Sequence, residues 1–254
     1  LNGLLMLFVQ PLIYIYEKLF GLISDVSLLE LSDTNSKLLK ELSDQAPGTF
    51  HHSLQVANLA EAAANEIGAN TLLVRVGALY HDIGKLKQPK YFSENQIASE
   101  SPHSALTPKQ SAQIIINHVL DGIAIAQKNK LPDRVIDFIR THHGDSSVYY
   151  FYKKQLELDP DNTHIEDFQY PGPRPFSKEN AILMMADAVE AASKSLKSPD
   201  IEQLKHFIEK IVTSKMNALQ FNNSNITLSE IETVKKVLLR KLINVYQLRI
   251  EYPE

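Results

Sequence analysis

The sequence predicts an all-α protein. Apolar residues recur at spacings of three and four rather than two, which is the period of a helix with one buried face. Gly and Pro are sparse inside the periodic segments and collect between them, where helix breakers belong. The 254 residues, 44% of them hydrophobic, suffice for one large core or for a main domain with an appended helical subdomain.

The elements follow in order. From Leu1 to Leu31 the chain is rich in Leu, Ile, Phe and Tyr but is broken by Asn2, Gln10, Pro11, Glu17 and Lys18. No run reaches the roughly 18 to 20 apolar residues of a spanning helix. The segment therefore reads as the tail of a membrane segment or a juxtamembrane amphipathic helix, with a plain packing helix as the alternative. It has none of the charged leader or cleavage signals of secretion, and the first residue, Leu1, points to a piece of a longer protein.

A short connecting helix is expected around Thr34 to Ser43, stopped by the Ala46-Pro47-Gly48 turn. The next helix carries Val56, Leu59, Ala60, Ala63, Ala64 and Ile67 on one face and ends at Gly68. Another runs from about Thr71 to Ile83 and ends at Gly84, and the proline-bearing stretch from Lys87 to Pro108 reads as a long loop. Helices are expected over about Lys109 to Lys128 and Pro132 to His143, the second with proline at an early position, where its missing N–H costs nothing.

The stretch from Asp145 to Ser177 holds Tyr149, Tyr150, Tyr152, Tyr170 and Pro171-Gly172-Pro173-Arg174-Pro175. A connection of that length is usually functional, with room for a short helix of its own. A helix from about Lys178 to Ser195 precedes a C-terminal pair, about Asp200 to Asn217 and Leu228 to Ile250, and Thr227 with Glu230 makes a capping box for the last. The expected organisation is a membrane-exit segment (1–45), a main domain (46–199) and a C-terminal helical extension of that domain (200–254), divided at Pro199-Asp200.

A formal net charge of -4 provides no basic field to draw the protein onto nucleic acid, so any bound phosphate must be neutralised locally. The chain has no cysteine, which excludes disulfides and thiolate metal ligation. Metals, if present, must sit on nitrogen and oxygen.

Polar residues stand where the helical stripes face the core. His52, four residues before Val56, shares the buried stripe of its helix, whereas His51 points about 100° away. His142 lies on the stripe of Val135, Phe138 and Ile139 and is followed by His143. His118 comes three residues after Ile115, and the pair His81-Asp82 ends an apolar helix. Asp187 is set in an apolar run from Ala181 to Val189, where an unpaired carboxylate would be costly. Each alone could be a separately satisfied core residue. Together they are all metal-ligand types, and one shared metal centre satisfies them at once.

Seven ligands exceed the needs of one tetrahedral ion, so the expected cofactor is a pair of divalent ions. Mixed imidazole and carboxylate ligation suits iron, manganese, zinc or nickel, with iron or manganese expected. In such a centre a carboxylate bridges ions roughly 3.5–4 Å apart, and an activated hydroxide can attack phosphorus near neutral pH. The ligand spacing argues for phosphoester hydrolysis.

Several stretches together resemble one branch of a known family. They are Thr49-Phe50-His51-His52-Ser53, the run from His81-Asp82-Ile83-Gly84-Lys85 to Glu94-Asn95-Gln96, Asn117-His118-Val119-Leu120-Asp121-Gly122, Thr141-His142-His143-Gly144 and Tyr170-Pro171-Gly172-Pro173-Arg174-Pro175. This set is similar to the seven-transmembrane HD family, bacterial membrane proteins whose cytoplasmic HD domain hydrolyses cyclic di-AMP. The resemblance covers nearly the whole chain. It implies an HD-domain helical bundle, a juxtamembrane start, a C-terminal helical subdomain and a cyclic dinucleotide substrate opened to the linear form pApA. It also implies one metal on His52, His81, Asp82 and Asp187, and a second on Asp82, His118, His142 and His143, with Asp82 bridging. The stretch after His103, Ser104-Ala105, departs from the acidic-plus-lysine form of the family, so His103 reads as a surface loop residue.

Four further residues are candidate substrate contacts. Lys85 can reach a phosphate oxygen and assist catalysis, or stay solvated at a helix end. Arg174 can pair with the second phosphate or stack on adenine, or lie on the surface. His51 is a candidate contact beside His52, and Tyr170 can stack on a base or pack beneath its loop. Two rival functions remain. One is a cyclic di-GMP phosphodiesterase, whose Gly-Tyr-Pro motif Tyr170-Pro171-Gly172-Pro173 does not reproduce. The other is a sensing module that binds a nucleotide without turnover. The hydrophobic first helix would also let two copies pair.

Overall fold

The three-and-four spacing resolves into eleven α-helices and no strand among the described residues of the computed structural model, which are 8–96 and 101–247. The first, α1 (Val9–Phe20), exposes Leu12, Ile15, Leu19 and Phe20 and ends at Gly21 in the left-handed conformation. No helix among the described residues is long and apolar enough to cross a membrane. Residues 1–7 of the expected membrane-exit segment lie outside the described residues. Helices α2 (Asp25–Leu31) and α3 (Lys37–Gln45) drop Leu28, Leu39 and Leu42 fully into the core.

Only Ala46 separates α3 from α4 (Pro47–Glu66). Pro47 and Gly48 therefore open a helix rather than form the stopping turn expected from the sequence, because proline at the first helical position loses no hydrogen bond. Val56, Ala57, Ala60, Ala63 and Ala64 are fully buried along α4, and this small-residue face admits α5 (Thr71–Tyr80), α9 (Lys178–Ser193) and α11 (Leu228–Gln247) around it. The expected end of the last helix, Ile250, lies outside the described residues.

Helix α5 stops at Tyr80 rather than Ile83, leaving His81 and Asp82 in a turn before a 3₁₀ segment over Ile83–Lys87. The cause is a backbone crossing with α6 (Pro108–Lys128). A Cβ at Gly84 would stand 1.8 Å from the His118 carbonyl oxygen and 2.5 Å from the Gly122 nitrogen. Further 3₁₀ turns at Pro89–Tyr91, Ser93–Asn95 and Pro102–Ala105 organise the described parts of the expected loop. Helix α6 begins in a capping box of Thr107 and Gln110, and α7 (Asp133–Thr141) follows.

The long connection carries α8 (Tyr149–Leu158) and a 3₁₀ turn at Ile165–Phe168. Phe168 and Tyr170 bury against Ala112, Ile116 and Val119 of α6 in a second, smaller cluster. Helix α10 (Ile201–Asn217), capped by Asp200 with Gln203, and α11 place Leu204, Ile208, Val234 and Leu238 in the same core cluster as α4 and α5.

Candidate metal centre

Five helices and the turns that end two of them deliver the seven candidate ligands to one place. His52 comes from the second turn of α4, His81 and Asp82 from the end of α5, His118 from α6, His142 and His143 from the end of α7, and Asp187 from α9. All are buried except His143, which is half-buried. The Asp82 carboxylate stands in the middle. Its Oδ2 lies 3.6 Å from His52 Nε2 and 3.3 Å from His81 Nε2, and its Oδ1 lies 3.3 Å from His118 Nε2 and 3.7 Å from His142 Nε2. Asp187 Oδ1 is 3.0 Å from His52 Nε2 and 3.7 Å from His81 Nε2. His52, His81 and Asp187 gather on one side, and His118, His142 and His143 on the other.

The rings are held with Nε2 inward. His81 Nδ1 donates to the Ala78 carbonyl at 2.7 Å and His142 Nδ1 to the Ile139 carbonyl at 2.8 Å. His118 Nδ1 donates to the Ile115 carbonyl. In each case the acceptor is three residues back, so the local helix itself fixes the tautomer of the neutral ring, the one whose Nε2 can ligate. The residues fit a metal pair on an independent count: His81 Nε2 and Asp82 Oδ1 are buried without any hydrogen-bond partner. Such orphans are costly, and a cation between them satisfies both.

Electrostatics point the same way. Burial opposes charge on His81, yet Asp82 and Asp187 push its pKa up to about 10. Burial likewise opposes charge on His52, and hydrogen bonds with Asp187 and Glu190 raise it. Despite burial, Asp82 is held well below the usual carboxylate range by His81 and Lys85, and Asp187 by His52 and His81. On the other side, burial and the charge on His81 bring His142 down to about 3, and burial with His142 lowers His143. Asp82 and Asp187 thus concentrate negative charge where the imidazoles of His52 and His81 meet, a place suited to a cation, and metal binding to such ligands competes with protons.

A cavity of about 340 Å³ opens onto His52, Asp82, Lys85, His143 and Asp187. Lys85 Nζ is 2.7 Å from both Asp82 Oδ2 and Glu94 Oε1, with the Phe92 ring centroid at 5.0 Å. Burial disfavours its charge, and the two carboxylates more than restore it. Tyr170 is buried, its ring stacked on His143 at 4.1 Å, which is the packing alternative for this residue. Arg174 donates from Nε to both Asp145 oxygens at 3.0 and 2.9 Å, and from a terminal nitrogen to the Leu219 carbonyl. His51 is exposed, and neither it nor Arg174 is among the cavity's lining residues.

Three residues near the centre were not singled out by the sequence reading. Glu190 accepts from His52 Nδ1, Lys194 pairs with Glu190, and Glu94 holds Lys85. Glu190 had a signal, since it follows Asp187 by three residues on the same buried face. His103 is half-buried rather than a surface residue: its Nε2 donates to the Tyr91 carbonyl at 2.8 Å, and its ring packs on Tyr91 and Phe151.

Known proteins resemble this chain in sequence and fold. The HD domain family model matches residues 49–192, a span that holds all seven candidate ligands. The cyclic-di-AMP phosphodiesterase PgpH of Bacillus subtilis is 44% identical over 239 residues, 94% of this chain and 34% of its own length. The protein of the same name from Listeria monocytogenes is 44% identical over 240 residues, 94% of this chain and 33% of its own. The chain thus spans about a third of the length of these curated relatives. The crystal structure of the L. monocytogenes phosphodiesterase PgpH HD domain in complex with cyclic di-AMP matches with a TM-score of 0.82 at 44% identity, covering 84% of this chain and 100% of that one. With the family model matched across every candidate ligand and the all-α architecture in common, this chain belongs to the HD domain family.

Proposed function

We propose that this chain is a metal-dependent phosphodiesterase domain that opens cyclic di-AMP to pApA. The observation that carries the reading is the Asp82 carboxylate, whose two oxygens face two separate groups of histidines. The choice of substrate rests on the likeness to a domain solved with cyclic di-AMP. His52, His81, Asp82 and Asp187 would hold one ion, and Asp82, His118, His142 and His143 the other, with iron or manganese the metals that suit these donors. When bound, such a pair supplies Lewis acidity toward the phosphoryl oxygens and brings the pKa of water toward neutrality.

The chain's own residues do the rest. The backbone carbonyls behind His81, His118 and His142 engage each Nδ1 and aim each Nε2 inward as the nitrogen that would meet an ion. Lys85, fixed by Glu94, holds a positive charge at the cavity wall where a phosphate oxygen enters, and such a fixed charge stabilises the transition state. Water adds to one phosphorus and the ribose 3′ oxygen leaves, so the product keeps a 5′-phosphate. In the intact protein, the apolar α1 marks the exit from the membrane into a domain on the cytoplasmic side; in the detached domain its exposed face lets two copies pair.

The test is turnover by the purified chain with added Mn²⁺ against cyclic di-AMP and cyclic di-GMP. Cyclic di-AMP is expected to be consumed faster, with pApA as product. Binding without turnover would identify a sensor instead, and preference for cyclic di-GMP would overturn the substrate assignment.

Three substitutions separate the roles. His118→Ala is expected to empty the His118 side of the centre first, because the other side keeps four ligands; metal analysis showing equal loss from both sides would count against the division. Lys85→Ala should retain both ions while slowing turnover by roughly 10²–10³-fold, the scale for a fixed transition-state donor. Arg174 is proposed to meet the remote half of the substrate, so Arg174→Ala should mainly raise KM for cyclic di-AMP and spare bis-p-nitrophenyl phosphate. Equal losses on both substrates would instead place Arg174 at the chemistry, and no loss on either would return it to the surface.

A further inference from the structure

His81, His118 and His142 each rest their outer nitrogen on a neutral backbone carbonyl. His52 alone among these four rests it on a carboxylate. Glu190 is 7% exposed and lies one helical turn beyond Asp187 in α9, so one face of that helix brings Asp187 to Nε2 of His52 and Glu190 to Nδ1. Lys194, a further turn along, completes the row: its Nζ is 3.0 Å from Glu190 Oε2 and 3.4 Å from His52 Nδ1. A carboxylate this buried is costly without a task, and Glu190 does not line the cavity that opens onto the centre.

The physical consequence is an unequal centre. An imidazole that donates to a carboxylate carries more electron density on its other nitrogen than one that donates to a carbonyl, and it is the more basic ligand. His52 gains this on the side that also holds Asp187 and shares Asp82. The other side has three histidines and only the shared carboxylate. Negative charge and ligand basicity are therefore concentrated on the His52 side.

We propose that Glu190 is a positioning residue that makes the His52 side of the centre the tight metal site, so that the two ions load in order, the His52 side first and the His118 side second and exchangeably. This rests on the two-ion reading above but not on the identity of the substrate. Lys194, paired with Glu190, holds that carboxylate oriented toward His52.

The test uses the whole chain, stripped of metal, reloaded with Mn²⁺ and dialysed against graded chelator. Metal per chain is measured by mass spectrometry, and electron paramagnetic resonance separates a lone Mn²⁺ from a coupled pair. The unmodified chain is expected to lose one ion well before the other, and His118→Ala to keep only the tightly held one. Glu190→Ala should weaken the tight ion by roughly 10–100-fold, the usual scale for removing an outer partner, while the second ion keeps its affinity. Glu190→Gln, which retains an acceptor oxygen without the charge, should fall between and carries the comparison if the alanine variant does not fold. Circular dichroism of the metal-free variants checks the fold separately. Unaltered affinity of the tight ion in both variants, or equal weakening of both ions, would overturn the role of Glu190. An unmodified chain that binds a single ion would overturn the two-ion reading and the loading order with it.

Discussion

Asp82→Ala is expected to abolish phosphodiester hydrolysis and to leave the chain with at most one ion. The reason is geometric. Asp82 is the one candidate ligand whose two oxygens face different histidine groups, Oδ2 toward His52 and His81 and Oδ1 toward His118 and His142. Its loss removes a donor from both sides and a negative charge from between them. Removing even an outer partner of a metal ligand costs about 10–100-fold, so loss of a shared inner one should exceed ~10³-fold in turnover. It also leaves Lys85 with Glu94 as its remaining ion-pair partner. Asp82→Asn, which preserves shape and removes charge, should fail in the same way. Metal quantification and turnover on the same samples check this: two ions with full activity in either variant would refute the bridging role.

Gly84→Ala should be among the most damaging of the single-methyl changes near the site, although Gly84 is not a candidate metal ligand. The Cβ would stand 1.8 Å from the His118 carbonyl oxygen and 2.5 Å from the Gly122 nitrogen. Both are backbone atoms of α6 and cannot rotate away, so the helix that carries His118 must move. Overpacking of this kind costs about 1–3 kcal/mol, occasionally more, which in a chain of this size lowers Tm by several degrees. The displaced His118 should weaken the second ion as well. Gly122→Ala provides the contrast, because its Cβ would meet Ile139 Cγ2 at 2.8 Å and the Gly84 nitrogen at 3.3 Å. A side-chain methyl can shift where a carbonyl cannot, so the loss should be smaller. Thermal unfolding of metal-free protein, followed by Mn²⁺ titration, reads both effects. An unchanged Tm with two ions bound in Gly84→Ala would show that the crossing is not tight.

The same crossing shows where sequence reasoning stops. The periodicity around Thr71 to Ile83 continues past the point where α5 ends, because the break comes from a contact with α6 that local pattern does not record. Pro47 posed a similar difficulty: proline stops one helix and starts another with equal ease. Helix α8 was hard to place because none of its residues is buried, so no apolar stripe marks it. The candidate ligands, by contrast, were readable because each is a polar residue on an otherwise apolar face, a conflict that only a partner resolves. Glu190 obeys the same rule and could have been found by it. The ties of Arg174 to Asp145 and Leu219 join segments far apart in the chain, and nothing local announces them.

Anomalous diffraction from crystals of the manganese-loaded chain tests the two-ion, Asp82-bridged centre most directly. Two peaks are expected, roughly 3.5–4 Å apart, one among His52, His81 and Asp187, the other among His118, His142 and His143, with Asp82 touching both. A single peak, or two peaks that do not share Asp82, would contradict the account.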